Sequence, residues 1–192
     1  MPSSPVRAHT GRRRNTAARQ AILTAATDLL ARPGGTAVTT AEIAAAAGVS
    51  KQTIYRWWPS KGAVLLEAMT EWARSSAPDR DTGTLRTDLT AFLTATFTAA
   101  AVQPAAALLR AVLAEAQTDP ATTTLLAEFA RDRRAVLHRI LDRARVRGEL
   151  DAEADLELLV DQAYGVLWYR LAVARTPLTA EVATRLADSL AG

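Results

Sequence analysis

The sequence predicts an all-α chain of about nine helices, and three observations carry that prediction. Apolar residues recur three and four positions apart through most of the length, and no stretch alternates with the period of two that marks a half-buried strand. Alanine, the strongest helix former, is the commonest residue. The apolar stripes are separated by signals that stop and start helices, among them Gly48, Pro59-Ser60, Asp119-Pro120 and Thr176-Pro177.

Composition narrows the function classes. The 192 residues can form a small head and a larger body, each with a core. Without cysteine there is no disulfide frame, thiol nucleophile or thiolate metal site. The two histidines, His9 in a polar tail and His138 among arginines, suggest neither a triad nor a zinc cluster. No glycine-rich phosphate loop follows a strand, and Asp151, Glu153, Asp155 and Glu157 read as helix-start dipole partners. The expectation is a non-enzyme without cofactor or metal. The apolar runs are short and the start lacks a hydrophobic signal region, so a cytoplasmic location and no membrane span are expected. Charge is uneven: residues 1–72 carry net +5 and the remainder net −2, and the only two lysines, Lys51 and Lys61, lie close together.

In chain order, residues 1–14 lack apolar periodicity and are expected to be a disordered basic arm. A first helix runs from Asn15 or Thr16 to Ala31 with Ile22, Ala25, Ala26, Leu29 and Leu30 on one face, and Pro33-Gly34-Gly35 ends it. Thr39 and Glu42 fit a capping box, so a second helix begins at Thr40, and Gly48 stops it in the left-handed conformation that favours glycine. Ser50 caps a third helix, Lys51 to Trp57, ended by Pro59. Two short helices joined by a three-residue turn with a glycine form a helix-turn-helix.

Ile43, Ala44, Ala47, Val49, Ile54 and Trp58 can face inward, which leaves Lys51, Gln52, Thr53, Tyr55, Arg56 and Trp57 outward. The outward set suits DNA: lysine, glutamine and threonine reach base edges, while tyrosine, arginine and Lys61 anchor phosphates. The expected DNA-facing residues are Ser50, with Lys51, Gln52 and Thr53 toward bases, and Thr40, Tyr55, Arg56, Trp57 and Lys61 toward phosphates. Arg19 is a further phosphate candidate. Arg7, Arg12, Arg13 and Arg14 would either follow the DNA or form a solvated tail.

The run from Val38 to Lys61, Val-Thr-x-x-x-Ile-Ala-x-x-Ala-Gly-Val-Ser-x-x-Thr-Ile-Tyr-x-x-Trp-x-Ser-Lys, with Ile22, Leu23, Ala25, Ala26 and Leu29 before it and Leu65 and Leu66 after, resembles the tetracycline-repressor (TetR) family of bacterial regulators. The match covers roughly residues 16–70. Trp57 departs from the histidine or tyrosine common there, and its indole N–H retains one donor for a phosphate. The resemblance implies an N-terminal helix-turn-helix DNA-binding domain, here 15–76, and a C-terminal ligand-binding and dimerisation domain, here 77–192.

Ser60 can cap a fourth helix reaching about Ser75, with Val64, Leu65, Ala68, Met69 and Trp72 on one face. Ala77 to Gly83 is a polar boundary. Helices then follow at about 84–100, 104–117 and 119–147, then about 20 residues from Asp151 or Asp155, and a last one from Thr179. Leu158, Val166 and Val173 lie off the main stripe of the penultimate helix, the pattern of a helix that is either central or, paired with the last helix, shared with a second subunit. Met69, Trp72, Phe92, Phe97, Phe129, Tyr164 and Trp168 fall on helices that can surround a ligand cavity, and His138 belongs at the surface or a pocket rim. The predicted function is a homodimeric regulator of transcription, a repressor released from a palindromic double-stranded operator by a small-molecule effector. The alternatives are an activator of the same fold and a helical small-molecule carrier with a vestigial helix-turn-helix.

Overall fold

The computed structural model describes residues 10–32, 38–74 and 79–192, and every regular element among them is helical. The helices are α1 (Thr10–Ala31), α2 (Thr40–Ala46), α3 (Lys51–Tyr55), α4 (Lys61–Arg74), α5 (Leu85–Ala101), α6 (Ala105–Ala116), α7 (Pro120–Val146), α8 (Leu156–Trp168) and α9 (Ala180–Leu190). A π-helical turn, Tyr169–Val173, continues α8.

Local chemistry fixes most of the boundaries. Thr39, Ser50, Thr84, Asp119, Asp155 and Thr179 each accept a backbone N–H from the first turn of the helix they precede. Ser60 accepts the Ala63 N–H at 3.2 Å and caps α4 in the same way. Helix α1 starts at Thr10, earlier than the Asn15 or Thr16 expected, and so takes in the end of the expected disordered arm. The rest of that arm, with Arg7, lies outside the described residues, as do the side chains of Arg12, Arg13 and Arg14 and the Pro33-Gly34-Gly35 break. Helix α3 closes at Tyr55 rather than Trp57, because Arg56 and Trp57 turn the chain toward Pro59.

Helix α4 is the centre of the packing. It lies against α1, α6 and α7, and its Val64, Leu65 and Met69 are fully buried. Helix α9 packs along α5, and α8 packs on α7. Near its start α4 crosses the start of α7 so closely that a Cβ added at Gly62 would run into the Thr122 side chain. Thr122 is itself buried; its hydroxyl donates to Asp119 at 2.5 Å and lies 3.4 Å from the Ser60 hydroxyl.

The segment entering α5 is fastened to the end of α7 by charge. Asp79 receives Arg139 and Arg143, Asp81 receives Arg147, and buried Asp88 receives Arg147 together with the N–H and hydroxyl of Thr82. Glu149 pairs with Arg147 and accepts the Leu85 N–H at 2.5 Å. Burial pushes the Asp79 and Asp88 carboxyls up, but the bonds from the arginines and from Thr82 outweigh it and hold both below the usual range. Glu149 is held low by the Leu85 N–H and Arg147. Among the described residues no single helix is long and apolar enough to cross a membrane.

Candidate DNA-binding surface and effector cavity

The helix-turn-helix is assembled from short-range bonds. Thr39 accepts the Glu42 N–H at 3.2 Å, and Glu42 accepts the Thr39 N–H at 2.8 Å, which completes the capping box. Those bonds from Thr39 hold the Glu42 carboxyl below its ordinary value. Gly48 turns the chain at φ 65°, and the Val49 N–H closes the turn on Ala44. Ser50 then accepts the Thr53 N–H and lies 3.0 Å from the Thr53 hydroxyl, so α3 starts from a fixed cap. Ile43, Ala44, Ile54 and Trp58 are buried beneath, with Ala47 and Val49 packed against them.

This core leaves one face of α3 outward. Lys51, Gln52, Tyr55 and Arg56 are exposed, and neither Lys51 nor Arg56 has an ion-pair or hydrogen-bond partner for its side-chain cation among the described residues. Thr53 is half-buried under the Ser50 cap, and Thr40 is half-buried at the start of α2. Trp57 lies edge-on to Trp58 with ring centroids 5.5 Å apart and packs against the core. The tryptophan thus braces the turn as well as sitting beside the exposed face.

Two expected phosphate contacts have internal partners. The Lys61 ammonium lies 2.7 Å from Glu115 on α6, in a groove shared with Thr40, Tyr55 and Asp119. Arg19 pairs with Glu67 and Glu71 of α4, and Glu67 also accepts the Trp58 indole N–H at 2.7 Å. These pairs join residues 54 and 48 positions apart, a relation that helix periodicity does not encode.

In the C-terminal half, α4 to α8 enclose a cavity of about 330 Å³. Phe129, Tyr164 and Trp168 line it as expected, and Met69, Phe92 and Phe97 do not: these three are fully buried and fill the core between helices. The Trp72 side chain lies outside the described residues. The hollow comes from small residues, Ala73, Ala99, Ala100, Ala130 and Gly165, which leave space that larger side chains would occupy. Its polar groups are few. The Thr96 hydroxyl is buried without a partner, and the Tyr164 hydroxyl donates to the Arg133 carbonyl at 2.9 Å. Burial raises the Tyr164 pKa, so the phenol is neutral at ordinary pH. At the rim Arg134 is neutralised by Glu157 and Asp161, and His138 pairs with Glu157 at 2.8 Å outside the cavity lining. Thr96, Arg133 and Asp161 were not foreseen; the run Ala95-Thr96-Phe97-Thr98-Ala99-Ala100 was the available signal, a polar residue inside a small-residue stretch.

Comparison with known proteins agrees with this geometry. Residues 22–68 match the model for bacterial regulatory proteins of the tetR family, and residues 79–190 match the tetracyclin repressor-like C-terminal domain. The HTH-type transcriptional regulator YdeS of Bacillus subtilis is 33% identical over 171 residues, which cover 85% of this chain and 82% of the relative. The regulator Rv1556 of Mycobacterium tuberculosis is 34% identical over 84% of this chain and 80% of its own. The crystal structure of the TetR family regulator SCO0332 is 34% identical and superposes with a TM-score of 0.72, covering 91% of this chain and 96% of that one. With the fold and both matched regions in place, the chain belongs to the TetR family and is a DNA-binding regulator of transcription, not an enzyme.

Proposed function

We propose that the protein is a cytoplasmic homodimeric repressor whose 15–76 domain grips a palindromic operator and whose 77–192 domain releases it when a small molecule enters the α4–α8 cavity. The observation that carries the reading is the contrast on α3: the Lys51, Gln52, Tyr55 and Arg56 side chains are exposed with no polar partner among the described residues, on a helix otherwise locked by Ser50 and Ile54. Lys51, Gln52 and Thr53 then meet bases while Thr40, Tyr55, Arg56 and Trp57 meet phosphates. Lys61 reaches a phosphate only by giving up Glu115.

The dimer face fits α8. Leu158, Gln162, Gly165, Tyr169 and Val173 fall at helical spacing and are exposed, with Leu158 at 52%, Tyr169 at 60% and Val173 at 71%. Exposed apolar residues aligned on one face call for a partner, and a two-fold axis through α8 supplies it from a second copy. Two recognition helices about 34 Å apart then read the two halves of a palindrome.

The cavity suits a largely apolar molecule with one group that hydrogen-bonds the Thr96 hydroxyl. Ala73 of α4 lines the cavity while Ser60 and Lys61 stand at the other end, beside the recognition helix. A ligand that favours one placement of α4 shifts the population away from the DNA-competent form. The test is binding to the DNA upstream of the protein's own coding region at about 0.15 M salt with excess competitor. Tight binding to one palindromic site, lost on adding an effector, is expected; binding no tighter than to random DNA at that and other candidate promoters contradicts the proposal.

A further inference from the structure

Three arginines converge where α6, the π turn and the segment leading into α9 meet. Half-buried Arg110 and Arg170 and exposed Arg175 line a second, more open cavity of about 420 Å³, and no carboxylate lines it among the described residues. Arg170 donates two bonds to the Pro177 carbonyl, at 3.0 and 2.9 Å. Arg110 and Arg175 have no hydrogen-bond or ion-pair partner among the described residues, and the Arg110 Nε is buried and unsatisfied. A buried donor without an acceptor is unfavourable, and three cations on one cavity wall without a counter-charge favour an anion there.

The contrast with the end of α7 lies in charge: the Arg143 Nε there is also buried without an acceptor, but Arg139, Arg143 and Arg147 share Asp79, Asp81, Asp88 and Glu149. Among the described residues no carboxylate supplies that neutralisation to Arg110 and Arg175.

The backbone at Arg175 adds an independent observation. The Thr176 N–H bonds the Arg170 carbonyl at 3.1 Å, six residues back, and so caps the wide π turn, with Arg175 in the left-handed conformation at φ 51° just before it. Helices α2 and α7 close by five-residue Schellman bonds, Val49 to Ala44 and Glu149 to Ala144, and there the left-handed residue is a glycine, Gly48 at φ 65° and Gly148 at φ 76°. Glycine takes this conformation freely and a residue with a Cβ does not. Here the strained position carries a guanidinium toward the cavity lining.

We propose that this cavity is a second small-molecule site that binds a phosphate-type anion through Arg110, Arg175 and Arg170. The guanidinium fork matches phosphoryl oxygens in pairs, and the first turn of α9, capped by Thr179 at the cavity wall, adds a favourable dipole. The site is separate from the apolar cavity but shares a helix with it: Leu109 lines one and Arg110 the other. An inorganic ion and the phosphoryl group of a metabolite offer the same oxygens, and the probes below differ in charge and reach to separate them.

The experiment titrates orthophosphate and pyrophosphate into the full-length protein by calorimetry, at ionic strength held constant with chloride, alongside Arg175→Gly, Arg110→Gln and Arg56→Ala. Saturable binding of one anion per chain is expected. Binding of orthophosphate as tight as pyrophosphate indicates a simple ion site, and a preference for pyrophosphate indicates a larger phosphorylated ligand. Arg175→Gly should bind at least about tenfold more weakly while its melting temperature without anion is equal or higher, because glycine relaxes the cap. Arg110→Gln should also weaken binding, and Arg56→Ala should leave it intact. No saturable binding of either anion overturns the proposal, as does undiminished binding by Arg175→Gly. Loss in Arg56→Ala alone also overturns it, because the anion would then sit on the DNA-facing surface. A change in dimer dissociation by Arg175→Gly without anion binding overturns it in favour of a partner subunit's carboxylate in the cavity.

Discussion

The end of α7 and the exposed face of α3 both display cations, and they differ in what is done with them. On α7, Arg139, Arg143 and Arg147 are matched by Asp79, Asp81, Asp88 and Glu149, so the charge is consumed in fastening the C-terminal half together. On α3, Lys51 and Arg56 stand exposed with no such match among the described residues. Charge that a fold neutralises internally acts on stability, and charge that it leaves open acts on a partner. Lys61 sits between the two cases, its ammonium held by Glu115 within reach of the DNA-facing groove.

The largest effect should come from the matched group. Asp88→Ala removes one of three carboxylates that hold Arg147, together with the acceptor of two Thr82 donors, at a buried position, and should cost about 3 kcal/mol in denaturant unfolding. The protein that remains folded should bind operator as before, and a selective loss of DNA affinity would break the contrast. The same carboxylates set a pH response. Asp79, Asp88 and Glu149 have folded pKa values below their unfolded ones, so they stabilise the fold above about pH 4 and stop doing so as the pH falls beneath it. Melting temperatures followed from pH 7 to pH 3 should decline mainly in that last interval for the wild type, and less for Asp88→Ala.

On α3 the effects should fall on DNA and not on folding. Gln52→Ala should weaken operator binding by about 1–3 kcal/mol and relax the preference at one base pair. Arg56→Ala should weaken all sequences alike and reduce the salt slope by about one. Both variants should unfold within about 0.5 kcal/mol of the wild type. Equal losses on operator and random DNA for both would remove the division between base-reading and phosphate-holding residues.

The smallest effect tests the intermediate case. Glu115→Gln frees Lys61 from its partner and should strengthen binding to operator and to random DNA by less than about 1 kcal/mol, with a steeper salt dependence. Unchanged affinity with an unchanged salt slope would make the pair purely structural.

The helices were legible because their causes are local. Thr39 with Glu42, Ser50, Asp119 and Thr179 each announce a helix start within four residues, and Gly48 and Gly148 announce ends. The exposed side of α3 followed from the same short spacing. What escaped was non-local. Nothing near Lys61 or Arg19 in sequence names Glu115 or Glu67 as its partner. Part of the cavity lining escaped for a different reason: Phe129, Tyr164 and Trp168 do line it, but large side chains such as Met69, Phe92 and Phe97 fill space, and the hollow forms where alanines and a glycine from separate helices happen to face one another. The π turn after Trp168 escaped too, since its residues continue the apolar pattern of α8.

The close crossing of Gly62 and Thr122 has a mechanical meaning. With no side chain to compress, α4 is pinned there against α7, and its far end at Ala73 lies eleven residues away, roughly 16 Å along the axis. A helix held at one end answers a sideways push by tilting about the pin. A displacement of about 1 Å at the cavity wall therefore becomes a rotation of roughly 3–4°. In the proposed release the crossing would act as a fulcrum, handing the N-terminal domain a change of angle in place of a change of position.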